Sequence, residues 1–349
     1  MSELQIGLLV LGALALVALL AYNRWADRAH APRQADGHAG DGHGHGSDAP
    51  TFTEPAFDDS SFSSLNLSVA SPRRPAIDDL IDAVAAVNLD PGVLAVSGEA
   101  AVAAFPGSWR VGSKPFLIEG LHADTQVWET PHAGARYMAF QTAVQLANRA
   151  GALNDIEYSE FTVKTQAFAD AVGATPEFRE MRDEVARARE LDQFASAHDA
   201  QLGLNLRARH AAWSPGYVSQ VAAQFGFVAG QLPGRMVLAA PTDGLPPLLS
   251  LTFDSQAALA EDPAQSAIYD LVLHLDVPHV DRAEQPFERM CQAAQGMAQA
   301  MDGVITDDNG QPLPYQSLDS ISAELQHLYD KLEQREFAPG SALARRLFS

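Results

Sequence analysis

Apolar and polar positions fall into four regimes along the chain. From Ile6 to Tyr22 (IGLLVLGALALVALLAY) every position is uncharged, and Leu4 and Gln5 extend the run. As a helix the extended run reaches roughly 28 Å, close to the ~30 Å hydrocarbon core of a bilayer. Its start carries Glu3 and no Lys or Arg, unlike a signal peptide, and it ends in Tyr22, Arg24, Trp25 and Arg28, an interfacial belt with basic anchors. The pattern predicts a single transmembrane helix with its basic flank over residues 1–28, anchored through Ile6, Leu9, Leu16, Tyr22 and Trp25. Basic residues follow the span and none precede it, so the positive-inside rule places the body of the chain in the cytoplasm and the N-terminal stub outside.

Residues 29–75 lose all periodicity and are rich in Gly, His, Asp, Ser and Pro. Such a segment buries too little apolar surface to offset its ordering entropy, so it reads as a disordered linker. As a coil it reaches roughly 35–40 Å. Its tract HAGDGHGHGSD, with His38, Asp41, His43, His45 and Asp48, offers metal-ligating side chains but no fixed geometry, and reads as a solvated spacer.

Residues 76–198 read as a middle α+β domain. Lys114–Leu121 and Gln126–Glu129 have strand character, Tyr137–Asn148 follows, and Glu157–Thr165 alternates imperfectly around Tyr158 and Phe161. Val163–Val172 and Pro176–His198 read as helices, the second laced with Arg and Glu at i, i+3 and i+4. Strands followed by helix repeat the order of the C-terminal half, so this region is either a diverged duplicate or an added domain with its own partner.

From residue 199 to 349 the periods are clearer. Leu202, Leu204 and Leu206 alternate with polar positions, a half-buried strand. Trp213-Ser214-Pro215 opens a helix, with Ser214 as N-cap, Pro215 at the first helical position and Trp213 stapled onto Val218. Its apolar stripe is Val218, Ala222 and Phe225, and Gly226 ends it. Arg235–Ala239, Leu248–Asp254 and Leu271–Val277 are strands, and Pro286–Met301 is an amphipathic helix. Gly303–Thr306 is a short strand, Asp307–Gly310 (DDNG) a turn, and Leu318–Leu332 a last helix. The order is β-α-β-β-β-α-β-α. The whole is thus an α+β protein whose C-terminal domain has a mainly antiparallel sheet covered by helices on one face.

Three segments, LHLDVPHVD (Leu273–Asp281), FERMCQAAQGMAQAMDGVITDDNGQPL (Phe287–Leu313) and the closing helix, together with the N-terminal span and linker, resemble the ZipA family of bitopic cell-division proteins. The resemblance covers about 140 residues plus the anchor. It implies a protein of the cell inner membrane, single-pass, that tethers FtsZ filaments and contributes to septal ring assembly. It also implies that the sheet face away from the helices binds a short peptide at the C-terminus of FtsZ. The period-2 pattern puts Gln201, Gly203 and Asn205, Arg235, Val237 and Ala239, Ser250, Thr252 and Asp254, and Val272, His274 and Asp276 on that face. The expected FtsZ-peptide-binding set is Gln201, Gly203, Arg235, Val237, Ser250, Thr252, Asp254, Val272 and His274. Where the family has bulky aliphatic and aromatic side chains, only Val237, Ala239 and Val272 are apolar here. Either Arg235 and protonated His274 then contact acidic residues of the peptide, or the middle domain has taken over the contact. The alternative is a membrane-anchored scaffold for another division or envelope protein.

Charge and chemistry narrow this further. The 349 residues carry a formal net charge of −21, which repels nucleic-acid phosphates and leaves the apolar span as the attachment to the bilayer. A single cysteine, Cys291, excludes a disulfide framework and multi-cysteine metal sites, and it lies on the apolar stripe of its helix. No nucleotide-binding, zinc-protease or hydrolase motif occurs. His198-Asp199, His274 with Asp276, and Asp307-Asp308 are the acid–base neighbours, and none has a third group to complete a site. The expectation is a binding protein without enzymatic activity, cofactor or metal.

Overall fold

The structure, a computed structural model, describes residues 76–260, 266–307 and 309–349. The span and linker expected over residues 1–75, with Ile6, Leu9, Leu16, Tyr22 and Trp25, lie outside them. No helix among the described residues is long and apolar enough to cross a membrane. The described chain forms two units. One comprises residues 76–197 and 346–349, the other residues 198–345. The chain's last four residues thus belong to the middle unit, not to the C-terminal domain expected to run to residue 349.

The middle unit runs β1 (Asp82–Leu89), β2 (Val96–Ser97), α1 (Gly98–Ala103), β3 (Arg110–Val111), β4 (Lys114–His122), β5 (Trp128–Glu129), β6 (Arg136–Gln145), β7 (Ala147–Asn148), β8 (Gly151–Ala152), α2 (Asp155–Val172), β9 (Ala174–Glu177) and α3 (Met181–His198). Its main sheet has the order β3-β4-β6-β1-β9 and is antiparallel at each pairing. Ala83, Ala85, Val87, Phe116, Ile118, Phe140 and Val144 are buried on the core face. Phe140 meets Phe168 of α2 edge-on at 5.3 Å, and Phe116 meets Phe161 at 6.0 Å.

Three expectations change here. Glu157–Thr165 is helical, because Asn154 and Glu157 form a capping box: Asn154 accepts from the Ile156 and Glu157 amides, and Glu157 accepts from the Asn154 amide. Pro176 is not in a helix but in β9, an edge strand, where a residue without an N–H is tolerated. The strand expected at Gln126–Glu129 shrinks to Trp128–Glu129, since Gln126 takes a positive φ.

The C-terminal unit follows as β10 (Gln201–Ala208), α4 (Pro215–Gln224), β11 (Phe227–Ala229), β12 (Arg235–Leu238), β13 (Leu249–Phe253), α5 (Ser255–Leu259), β14 (Asp270–Asp276), α6 (Pro286–Met301), β15 (Gly303–Thr306), α7 (Tyr315–Gln334) and α8 (Ala342–Leu347). Edge strand β11, the single-turn α5 and the short α8, whose last two residues belong to the middle unit, are additions to the expected order, all too short to impose a period on the sequence. All pairings in the sheet, ordered β11-β12-β13-β14-β10-β15, are antiparallel. Leu204, Leu206, Met236, Leu249, Leu251, Leu271, Leu273 and Leu275 share one buried cluster with Phe287, Met290, Ala294, Met297 and Met301 of α6. Trp213 is buried there and donates from its indole N–H to the Met301 carbonyl at 2.8 Å. As the sequence predicts, Ser214 caps α4 by accepting from the Tyr217 amide.

Both units have one topology. Strands β3, β4, β6, β1 and β9 hold the places of β12, β13, β14, β10 and β15, and α2 and α3 hold those of α6 and α7. The registers agree too. The first residue of β1, Asp82, pairs with Gln145 at the end of β6, as the first residue of β10, Gln201, pairs with Asp276 at the end of β14. The last residue of β1, Leu89, pairs with the start of β9, as the last of β10, Ala208, pairs with the start of β15. In each unit a left-handed residue, Gly173 or Asp302, turns the long helix into the edge strand.

Candidate functional site: the outer face of the C-terminal sheet

Strand alternation fixes what this face presents. With Leu204, Leu251 and Leu273 committed to the core, their neighbours must point outward. The cross-strand register sets Val237, Ser250, His274 and Gly203 side by side in one row, and Arg235, Thr252, Val272 and Asn205 in the next. Val228 of β11 extends the first row and is exposed.

A groove of about 720 Å³ lies on this face. Gln201, Gly203, Ser250, Val272 and His274 line it, with Arg235 at one side and Pro246 and Pro247 from the β12–β13 loop at another. A second hollow of about 510 Å³ shares Arg235 and Pro247 and is bounded by Val237, Leu232 and Leu245. Of the expected site set, six residues line the groove and Val237 lines the hollow. Thr252 and Asp254 line neither: Thr252 Oγ1 lies 2.9 Å from His274 Nε2, and the Asp254 carboxylate caps α5 by accepting from the Gln256 amide at 2.8 Å.

The electrostatics of the face differ from the expectation in one respect. Burial, reinforced by the positive charge of Arg235, holds the His274 imidazole below its ordinary pKa. It is therefore neutral near pH 7, and the protonated contact predicted for it is not available there. Its ring pairs with Thr252, not with Asp276, which lies 3.4 Å from His279 instead. Arg235 is exposed and has no ion-pair partner among the described residues, so its guanidinium is the cation this face offers to a ligand.

Period-2 reasoning overlooked the apolar contributions because they come from loops. Leu232, Leu245, Pro246 and Pro247 supply the walls that the polar strand positions lack. The Leu245-Pro246-Pro247 tripeptide was the available signal, since paired prolines hold a loop in an extended, rigid path. Elsewhere Cys291 is half-buried on α6, where burial pushes its thiol up to about 11, so it is no nucleophile at neutral pH. Among the described residues no cluster of His, Cys, Asp or Glu is placed to hold a metal.

No curated protein matches the chain. One protein family does, over the stretch from α5 through β14, α6 and β15 into α7, which contains the groove residues Val272 and His274 and most of the helical cover beneath them. Residues 256–324 match the model of the ZipA C-terminal, FtsZ-binding domain, so this stretch of the C-terminal unit is similar to that domain.

Proposed function

We propose that this chain is a cell-division protein that binds the C-terminal segment of FtsZ on the outer face of its C-terminal sheet and ties FtsZ filaments to the cytoplasmic face of the inner membrane. The observation that carries the reading is the coincidence of the family match with an open groove on the helix-free side of that sheet. The uncharged run Ile6–Tyr22 supplies the anchor, and the Gly- and His-rich stretch 29–75 gives the reach a tether needs. Contribution to septal ring assembly follows from the tether, and the bilayer, FtsZ and other division proteins are its partners. The protein acts by binding, without enzymatic chemistry or cofactor. An extended peptide in the groove places apolar side chains against Val272, Val237 and the Pro246–Pro247 wall, and an acidic one against Arg235.

The test is a titration of the full chain with an FtsZ C-terminal peptide. Val272→Glu introduces a carboxylate that must be desolvated beneath the peptide and weakens binding by more than about 1 kcal/mol. Arg235→Ala weakens it less, and the effect shrinks as salt is added. Undiminished binding by both variants refutes the groove assignment. A reporter active only in the periplasm, fused after Ser349, is expected to be silent; strong activity there refutes the tether.

A further inference from the structure

The middle unit offers the same sheet face as the candidate site, but there it is filled. The Asp82–Gln145 pair corresponds in register to Gln201–Asp276 in the C-terminal unit. Asp82, Glu119 and Gln145 all point away from the core face, yet they are 0%, 2% and 1% exposed. Asp82 and Gln145 are covered by Arg346–Ser349, and Glu119 by Ala76 and Ile77 with Gln141 beside it. Arg346 Nη2 donates to the Asp82 carboxylate at 2.5 Å, and Gln145 Nε2 donates to the Arg346 carbonyl at 2.7 Å. Arg346 Nη1 donates to the Ala76 carbonyl, and the Ala76 and Ile77 amides donate to Glu119. The Arg149 amide donates to the Ser349 carbonyl at 3.2 Å, and Leu347 and Phe348 are fully buried.

We propose that this face is a peptide-recognition site whose resident ligand is this chain's own segment Arg346–Ser349, held exchangeably and recognised as an arginine followed by two apolar residues. Three features separate this from an ordinary packed end. The charged floor is built for a cation: a buried carboxylate at Asp82 needs a guanidinium and is met by one that comes from far along the sequence. The fit is incomplete, because Gln145 Oε1 is buried with no hydrogen-bond partner, an acceptor that a better ligand with one more donor would satisfy. The equivalent face of the companion unit is open and groove-bearing, so filling is not required by the topology.

Exchange is tested with the full chain and a fluorescent peptide of residues 341–349 (SALARRLFS). A chain ending at Arg345 is expected to bind the peptide, whereas the intact chain, its site occupied, binds at least about tenfold more weakly. Substituting Ala for the peptide's Arg346 is expected to weaken binding by about tenfold or more. Failure of a folded truncated chain to bind, or equal binding by both chains, overturns the proposal. Should the truncated chain not fold, the intact chain decides. Hydrogen exchange of the Leu347–Ser349 amides of the isotopically labelled intact chain is expected to accelerate when unlabelled peptide is added. An unchanged rate at saturating peptide overturns exchange.

Discussion

Removing the guanidinium of Arg346 exposes how much the middle unit depends on it. Asp82 is fully buried, and burial holds its carboxyl above the ordinary carboxylate value, with Arg346 opposing the rise. Arg346→Ala leaves that carboxylate without its counter-charge and also removes the donor to Ala76. Breaking one side of a fully buried pair costs about 3–5 kcal/mol, and because the Arg346 side chain is 22% exposed we take the lower end, about 3 kcal/mol. The cost depends on pH with a definite sign. Below the unfolded-state value, about 3.9, both states hold the proton and no charge is buried. Above it the unfolded chain ionises freely, while the folded variant must retain a proton or bury a bare charge. The deficit is therefore small near pH 4 and grows as pH rises through the variant's further-raised folded value. Hydrogen exchange of the Asp82–Leu89 strand, variant against parent at each pH, reads this directly. The rates are expected to be similar near pH 4 and to differ about a hundredfold at pH 7 and above. Asp82→Asn in the same chain is expected to recover most of the loss, since a neutral amide needs no counter-ion. A deficit of equal size at both pH values, or no recovery by Asp82→Asn, refutes the account.

Other substitutions probe the C-terminal unit. A Cβ at Gly296 of α6 would lie 2.3 Å from the Phe225 ring, so Gly296→Ala is expected to destabilise by about 1–2 kcal/mol despite its better helix propensity, and Phe225→Leu in the same chain to relieve it, both read by thermal melting. Trp213→Phe removes the donor to the buried Met301 carbonyl and opens space in the core, costing about 1–3 kcal/mol by urea denaturation. Because the His274 imidazole is neutral near pH 7, His274→Gln is expected to leave the pH dependence of peptide affinity between about pH 7 and 8 unchanged in a fluorescence titration; a lost pH dependence would restore the charged contact.

The legible parts of this sequence were those where one period dominates. Leu271, Leu273 and Leu275 alternate cleanly because β14 is central and one of its faces is core, and Ser214-Pro215 marked α4 because capping chemistry is local. The illegible parts were those decided by distant contacts. Strand β1 carries Asp82 at its first position, a poor strand residue whose burial depends on an arginine near the far end of the chain. Strand β9 contains a proline, acceptable only because it is an edge, which no local pattern reveals. At the candidate site the strand positions were read correctly as polar. The apolar walls were missed because Leu232, Leu245 and the two prolines reach the sheet through loops.

The shared topology also places the two proposed peptide faces alike while leaving their charges free to differ. Backbone pairing fixes where outward side chains stand, so corresponding positions are available in both units, while their identity is free to diverge. The middle face presents Asp82 and Glu119 and holds an arginine; the C-terminal groove is lined by Arg235 as well as Asp276. The basic terminus, with Arg345 and Arg346 in sequence, meets a like charge in the C-terminal groove, and an acidic peptide meets two carboxylates on the middle face. At exposed Arg235 a like charge costs about 1 kcal/mol or less and is screened by salt, whereas beside the buried Asp82 an unmatched carboxylate costs more. If both faces bind peptides as proposed, charge set on a common sheet helps to separate the two ligands. Reversing it at one position, Arg235→Glu, is expected to weaken an acidic FtsZ peptide and admit the SALARRLFS peptide to the C-terminal groove of the intact chain. If that variant gained no affinity for the basic peptide, as measured by fluorescence anisotropy, shape and not charge would be the discriminator.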